Sequence, residues 1–183
     1  MVFTRVMGGA QPERAATITR ALERQRPLLD SFTATPEGEL ARLPHDPDGI
    51  FALSIDDSGS GRGAYRQHAA LLFAEDQQAA VTLYRKVGVS ALATKGSTVY
   101  RAADPAGATE LAAATTAAAR GMATAPAPAD VPGVSCLTDG GEHANAWVCL
   151  VTSGRHVAEV WAKTQDAAHT GARDQQRVLA AAK

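Results

Sequence analysis

Apolar residues recur along this chain at two periods, and the changes from one to the other mark out its elements. Ile18, Leu22 and Leu29 lie near one stripe of a helix running from Pro12 to about Leu29. Pro12 suits a first-turn position, and Pro27 is expected to end or kink the helix. Thr35 followed by Pro36 predicts a short helix to about Leu43. Residues 50–55 and 65–73 read as strands, with the run 56–63 as a flexible loop between them. Asp76 caps a helix to about Lys86 that carries Ala80, Leu83, Tyr84 and Val87 on its apolar side. Residues 89–94 and 97–102 predict a hairpin across Lys95 and Gly96, and Asp104-Pro105 opens an alanine-rich helix to about Arg120. With the strand containing Cys136, the order is β-α-β-β-α-β. Two more strands, at about 146–152 and 155–162, and a helix from Thr164 follow. The expected class is α+β: a mainly antiparallel sheet with a ferredoxin-like βαββαβ core, a disulfide-linked hairpin and a C-terminal helix. Residues 1–48 read as an N-terminal helical segment packing on the domain. Residues 49–183 read as a single α+β domain, with a proline-alanine linker at about 123–132 inside it.

The only two cysteines, Cys136 and Cys149, stand in neighbouring predicted strands. Facing each other at a non-hydrogen-bonded position of an antiparallel pair, their Cα atoms come within about 4.5 Å, inside disulfide reach. That register sets Val134 opposite Val151 and Thr138 opposite Trp147. A two-residue turn at Ser153-Gly154 then pairs Cys149 with Ala158 and Trp147 with Val160. The face so formed holds Val134, Cys136, Trp147, Cys149, Val151, His156, Ala158 and Val160, nearly all apolar, as a core face should be. The opposite face gathers Leu137, Val148, Leu150, Val157, Glu159 and Trp161. Either the N-terminal helix covers it, or Trp161, Val148, Leu150 and Val157 form a binding surface for a partner or a lipid-like ligand.

Composition narrows the function classes. The 183 residues carry a formal charge of −1, and their basic side chains are scattered, which argues against nucleic acid as a partner. There is no apolar run of the roughly 20 residues that span a bilayer. Nor does the start show the apolar stretch of about 7–15 residues that an export signal needs. The cysteines frame the alternatives: a cytoplasmic protein with two free thiols, or the soluble part of a longer exported precursor.

Motifs for chemistry are sparse. The run Ser58-Gly59-Ser60-Gly61-Arg62-Gly63 lacks the Lys-Ser/Thr ending of a phosphate loop and precedes a strand, so it reads as a surface loop. Asp46-Pro47-Asp48-Gly49 resembles a calcium loop, but Ile50 and Phe51 occupy positions where ligands would follow, so it reads as a turn. The five histidines, His45, His68, His143, His156 and His169, form no metal-binding spacing, and His156 falls on the core face. No cofactor, metal or catalytic residue set is expected, and the reading leans away from an enzyme.

Several phrases together resemble a family. Residues 27–36 (Pro-Leu-Leu-Asp-Ser-Phe-Thr-Ala-Thr-Pro) and 43–49 (Leu-Pro-His-Asp-Pro-Asp-Gly) are similar to the middle of actinobacterial, chiefly mycobacterial, cell-envelope lipoproteins. So are residues 97–108, and Cys136 with Trp147-Val148-Cys149 and Gly154 to Val160. The resemblance implies an exported protein with a disulfide-bonded C-terminal region and no assigned activity, tethered to the membrane only through an N-terminal anchor that this sequence lacks. The final helix departs from the pattern by lacking an aromatic near Gln176. The expected function is a non-catalytic envelope module binding a protein or lipid-like ligand. A small-molecule or lipid carrier with a helix–sheet cavity is second, and a hydrolase with dispersed site residues third.

Overall fold

The computed structural model describes residues 10–55, 63–74, 76–142 and 145–182. The chain divides into two units, Met1–Leu43 and Pro44–Lys183.

In the first unit, helix α1 (Gln11–Asp30) begins with Pro12 in its first turn, and the Ala10 N–H donates to the Glu13 carboxylate at 3.1 Å. Pro27 lies inside the helix instead of ending it. So near the C-terminus the missing N–H removes a single bond, while the Pro27 carbonyl still accepts from Ser31. None of the α1 side chains is buried. The expected second helix is a single 3₁₀ segment, Glu37–Arg42.

The second unit is built on one seven-stranded sheet: β1 (Gly63–Arg66), β2 (Ala91–Thr94), β3 (Thr98–Arg101), β4 (Ala123–Ala125), β5 (Val134–Thr138), β6 (Trp147–Ser153) and β7 (His156–Ala162). The spatial order is β1-β2-β3-β7-β6-β5-β4, with every neighbouring pair antiparallel. The α+β class, the antiparallel sheet, the βαββαβ succession of elements and the cysteine hairpin all stand. The strand order is more local than a ferredoxin-like interleaving. There a split βαβ seats another strand between parallel partners, whereas β1 here lies directly beside β2 and runs against it.

Two expected strands are helical over much of their length. Residues 51–53 form a 3₁₀ turn because the Asp46 carboxylate accepts the Ala52 N–H (3.1 Å) and the Leu53 N–H returns to the Ile50 carbonyl. β1 stops at Arg66, and the apolar run after it coils into helix α2 (Gln67–Ala70) and a 3₁₀ turn, folding Phe73 back onto the Tyr65 ring at 4.7 Å. The expected linker at 123–132 begins with the edge strand β4. Both edge strands are short, which limits the bare backbone offered to another chain.

Helices cover both sheet faces. On one lie α2, α3 (Gln77–Val87) and α4 (Pro105–Ala118), packed on Leu92, Tyr100, Val157, Leu150, Val148 and Leu137. On the other lie the Phe51 turn and α5 (Gln165–Ala181), over Ala93, Val99, Ala158, Val160, Val151 and the cysteines. Gly171 allows α5 to come this close, since a Cβ there would stand 2.6 Å from Val160 Cγ1. Buried Gln175 pins the loop below: its amide donates to the Leu53 carbonyl (2.7 Å), and its oxygen accepts from Ser97 Oγ and the Ile55 N–H.

Candidate functional site

Cys136 and Cys149 are cross-strand partners joined by a disulfide, with Cα atoms 4.1 Å apart. The β5–β6 register is the expected one throughout, Val134 with Val151 and Thr138 with Trp147. The β6–β7 turn sits one residue later than expected, at Gly154-Arg155, with Gly154 at φ 55°. Cys149 therefore pairs with Val160 and Trp147 with Ala162. This register is two residues off, an even slip, so every side chain keeps its predicted face. Both cysteines are at most 1% exposed. At the edge of this face α5 clasps the chain between β4 and β5: Arg173 meets Asp130 through two bonds (2.7 and 2.9 Å), and His169 Nε2 lies 2.8 Å from the Pro126 carbonyl. The Trp147 ring stands edge-on to His169 at 6.4 Å.

The proposed binding surface is redrawn on the opposite face. Val148, Leu150 and Val157 are core residues, 3%, 1% and 1% exposed, and so unavailable to a ligand. The side chains packed over them come from α3 and α4, namely Ala80, Tyr84, Val87, Ala108 and Leu111. Trp161 alone of the four reaches solvent, at 47% exposure. It lies on β7, the middle strand of seven, beside Val148 of β6.

Trp161 is not isolated. Its indole N–H donates to Glu159 Oε2 at 3.3 Å. Glu159 stands two residues earlier on the same face, between Leu150 of β6 and Thr98 of β3. Burial pushes its carboxyl above the usual carboxylate range, with hydrogen bonding from Trp161 and Tyr100 opposing. Buried Tyr100 is itself pushed up, by desolvation and by the Glu159 charge, and its ring lies 6.1 Å from that of Tyr84. A carboxyl, two phenols and a half-exposed indole thus line up from the core to the surface. Sequence reasoning passed over Glu159 because a polar residue alternating with apolar ones reads as solvated. Its one detectable signal was its place between Val157 and Trp161 on an otherwise apolar face.

The remaining candidates do not converge on chemistry. Buried His156 is pushed down to about 4 by desolvation and by the nearby Arg101 and Arg155 guanidinium groups, so it is neutral at ordinary pH. Ser54 and Ser97 are hydrogen-bonded to each other and, through Ser97, to Gln175, with no histidine in that cluster among the described residues. The Asp46–Gly49 segment is a turn, whose Asp48 carbonyl accepts from Arg101 Nη2 at 2.7 Å. Among the described residues no three His, Cys, Asp or Glu side chains gather as metal ligands. His143 and residues 56–62 of the glycine-rich run lie outside the described residues.

Among the described residues the second unit carries shallow cavities. One of about 220 Å³ is lined by His45, Asp48, Ile50, Ala64, Tyr65 and Arg66. Another, of about 160 Å³, is lined by His68, Leu71, Val81, Tyr84 and Arg85 among others. Neither lies between the sheet and α4 or α5. Among the described residues, no helix is long and apolar enough to cross a membrane.

Residues 39–182 match the family described as the C-terminal domain of unknown function DUF7373. That stretch is most of the chain and nearly all of the second unit, so the chain belongs to this family. No curated protein and no solved structure matches it.

Proposed function

For this member of the DUF7373 C-terminal family, we propose a non-catalytic binding module that works outside the reducing cytoplasm, in the cell envelope, and engages a protein partner through the surface around Trp161. The observation that carries the reading is Trp161 itself: a large aromatic, half in solvent, on the central strand of a sheet whose neighbouring apolar side chains on that face, Val148, Leu150 and Val157, are buried. Tryptophan in that position supplies rigid contact area at little entropic cost, and such residues dominate binding energy at protein interfaces. The buried disulfide supports a non-reducing setting. The resemblance of residues 27–49, 97–108 and 136–160 to actinobacterial lipoproteins supports the envelope.

A carrier has less support. Ligand pockets of drug-sized molecules enclose about 300–1,000 Å³, and the cavities of about 220 and 160 Å³ described above are smaller. Among the described residues the dispersed serines and histidines give a hydrolase no assembled site.

Native mass spectrometry of protein taken from its own source, beside Trp161→Ser, tests the reading. The native chain is expected to carry a protein-sized added mass that the variant lacks. Equal added mass on both, a lipid-sized mass, or none on either would overturn the proposed surface or its occupant. Alkylation before reduction should label no cysteine, and labelling of both would remove the extracytoplasmic assignment.

A further inference from the structure

We propose that Glu159 is a proton-operated latch on Trp161, making the contact surface respond to pH. This rests on the reading of Trp161 as the contact residue. The two side chains are neighbours on one face of β7, linked by the indole N–H bond to the carboxyl at 3.3 Å. Around that carboxyl stand Tyr100 from β3, Leu150 from β6 and, behind Tyr100, Tyr84 from α3. The one charged residue of α4, Glu110, is paired with Lys86 of α3 at the exposed side. β6 offers no titratable side chain, its cysteine being bonded. Among the described residues no lysine, arginine or histidine is paired with Glu159.

The two protonation states therefore meet different surroundings. Ionised, the carboxylate has the indole N–H and the Tyr100 phenol as its donors, and the charge-assisted bond holds the indole with its N–H turned inward. Neutral, the carboxyl suits its apolar neighbours, but it is a weaker acceptor and frees the indole N–H for water or a partner. The raised proton affinity of Glu159 places the change above the range of an ordinary glutamate. A partner covering Trp161 dehydrates the carboxyl further. Binding then takes up a proton and tightens as pH falls, by linkage.

The test is a ¹H–¹⁵N spectrum of the full chain, whose two tryptophans give two indole signals, assigned with Trp161→Phe. The Trp161 signal should follow a sigmoid with a midpoint above about 4.3, the ordinary glutamate value, and Glu159→Gln should flatten it. A signal that stays still between about pH 4 and pH 8, or one that titrates unchanged in Glu159→Gln, overturns the latch. If that variant does not fold, the ¹³C carboxyl resonance of Glu159 in the native chain replaces it. A midpoint shared with the indole supports the latch, and separate midpoints overturn it. No partner is present in these spectra, so a static indole with partner binding intact sinks the latch alone. A titrating indole on a chain with no partner sinks the binding surface alone.

Discussion

The two faces of the sheet are built to different standards. Under α5 the packing is closed: a disulfide, small side chains that let the helix approach, and a buried glutamine whose amide and carbonyl groups all have partners. Under α3 and α4 the core is equally closed at Leu92, Val157 and Leu150, yet one half-buried carboxyl stands at its border with phenols and an indole for company. A polar group with full partners adds rigidity, whereas a half-matched one lowers stability and is a mark of a site with another task. The first face holds the domain together, and the second is where its chemistry can change.

The sharpest way to break this contrast is to remove the bolt. Cys136→Ala with Cys149→Ala reopens a loop closed between residues 13 apart and should cost about 3 kcal/mol or more, read from urea midpoints. An unchanged midpoint would mean the α5 face owes little to the link. Next comes Gly171→Ala, which drives a methyl group onto Val160. A loss of about 1–3 kcal/mol is expected from overpacking, with the same substitution at open Gly38 as the control.

On the other face the sign reverses. Glu159→Gln should raise stability at neutral pH by about 1 kcal/mol, or about 2–4 °C in melting temperature for a chain of this size. A carboxyl held above its unfolded value favours folding fully below that value and loses the benefit as pH rises through the folded one. The gain should therefore shrink toward zero in acid, and a gain independent of pH would detach it from ionisation. His156 runs the opposite way, because its folded value of about 4 lies below the unfolded one of about 6.5. Its contribution is complete above the higher value and lost as pH falls through the lower. His156→Phe should flatten the acid limb of the stability curve. The smallest effect on stability is expected from Trp161→Ser, at about 1 kcal/mol or less for a ring already half in water, and the same substitution should abolish the proposed partner binding.

The cysteine hairpin was the most legible part of the sequence, because alternation on two strands and a cross-strand disulfide constrain one register together. The β6–β7 turn was harder to place, since Ser153-Gly154 and Gly154-Arg155 both supply a glycine and differ by a slip that leaves the faces intact. Residues 67–73 misled because a short apolar run fits a helix as well as a strand, and Gln67-His68-Ala69-Ala70 has little β preference. The packing of α4 over Val148 and Leu150 was illegible for a related reason. α4 is rich in alanine and threonine and shows almost no polar-to-apolar contrast around its circumference, so its sequence does not announce which side it buries. Trp161 was visible as a candidate, but its partnership with Glu159 needed the side chains in place.

The sulfur pair lies beneath a helix rather than beside one. A reducing agent can reach it only in the instants when α5 lifts away, so the lifetime of the bond is governed by how often that helix opens, not by the reagent's strength alone. A molecule carried from an oxidising space into a reducing one would keep its link for as long as the roof stays shut, remaining a record of where it had folded.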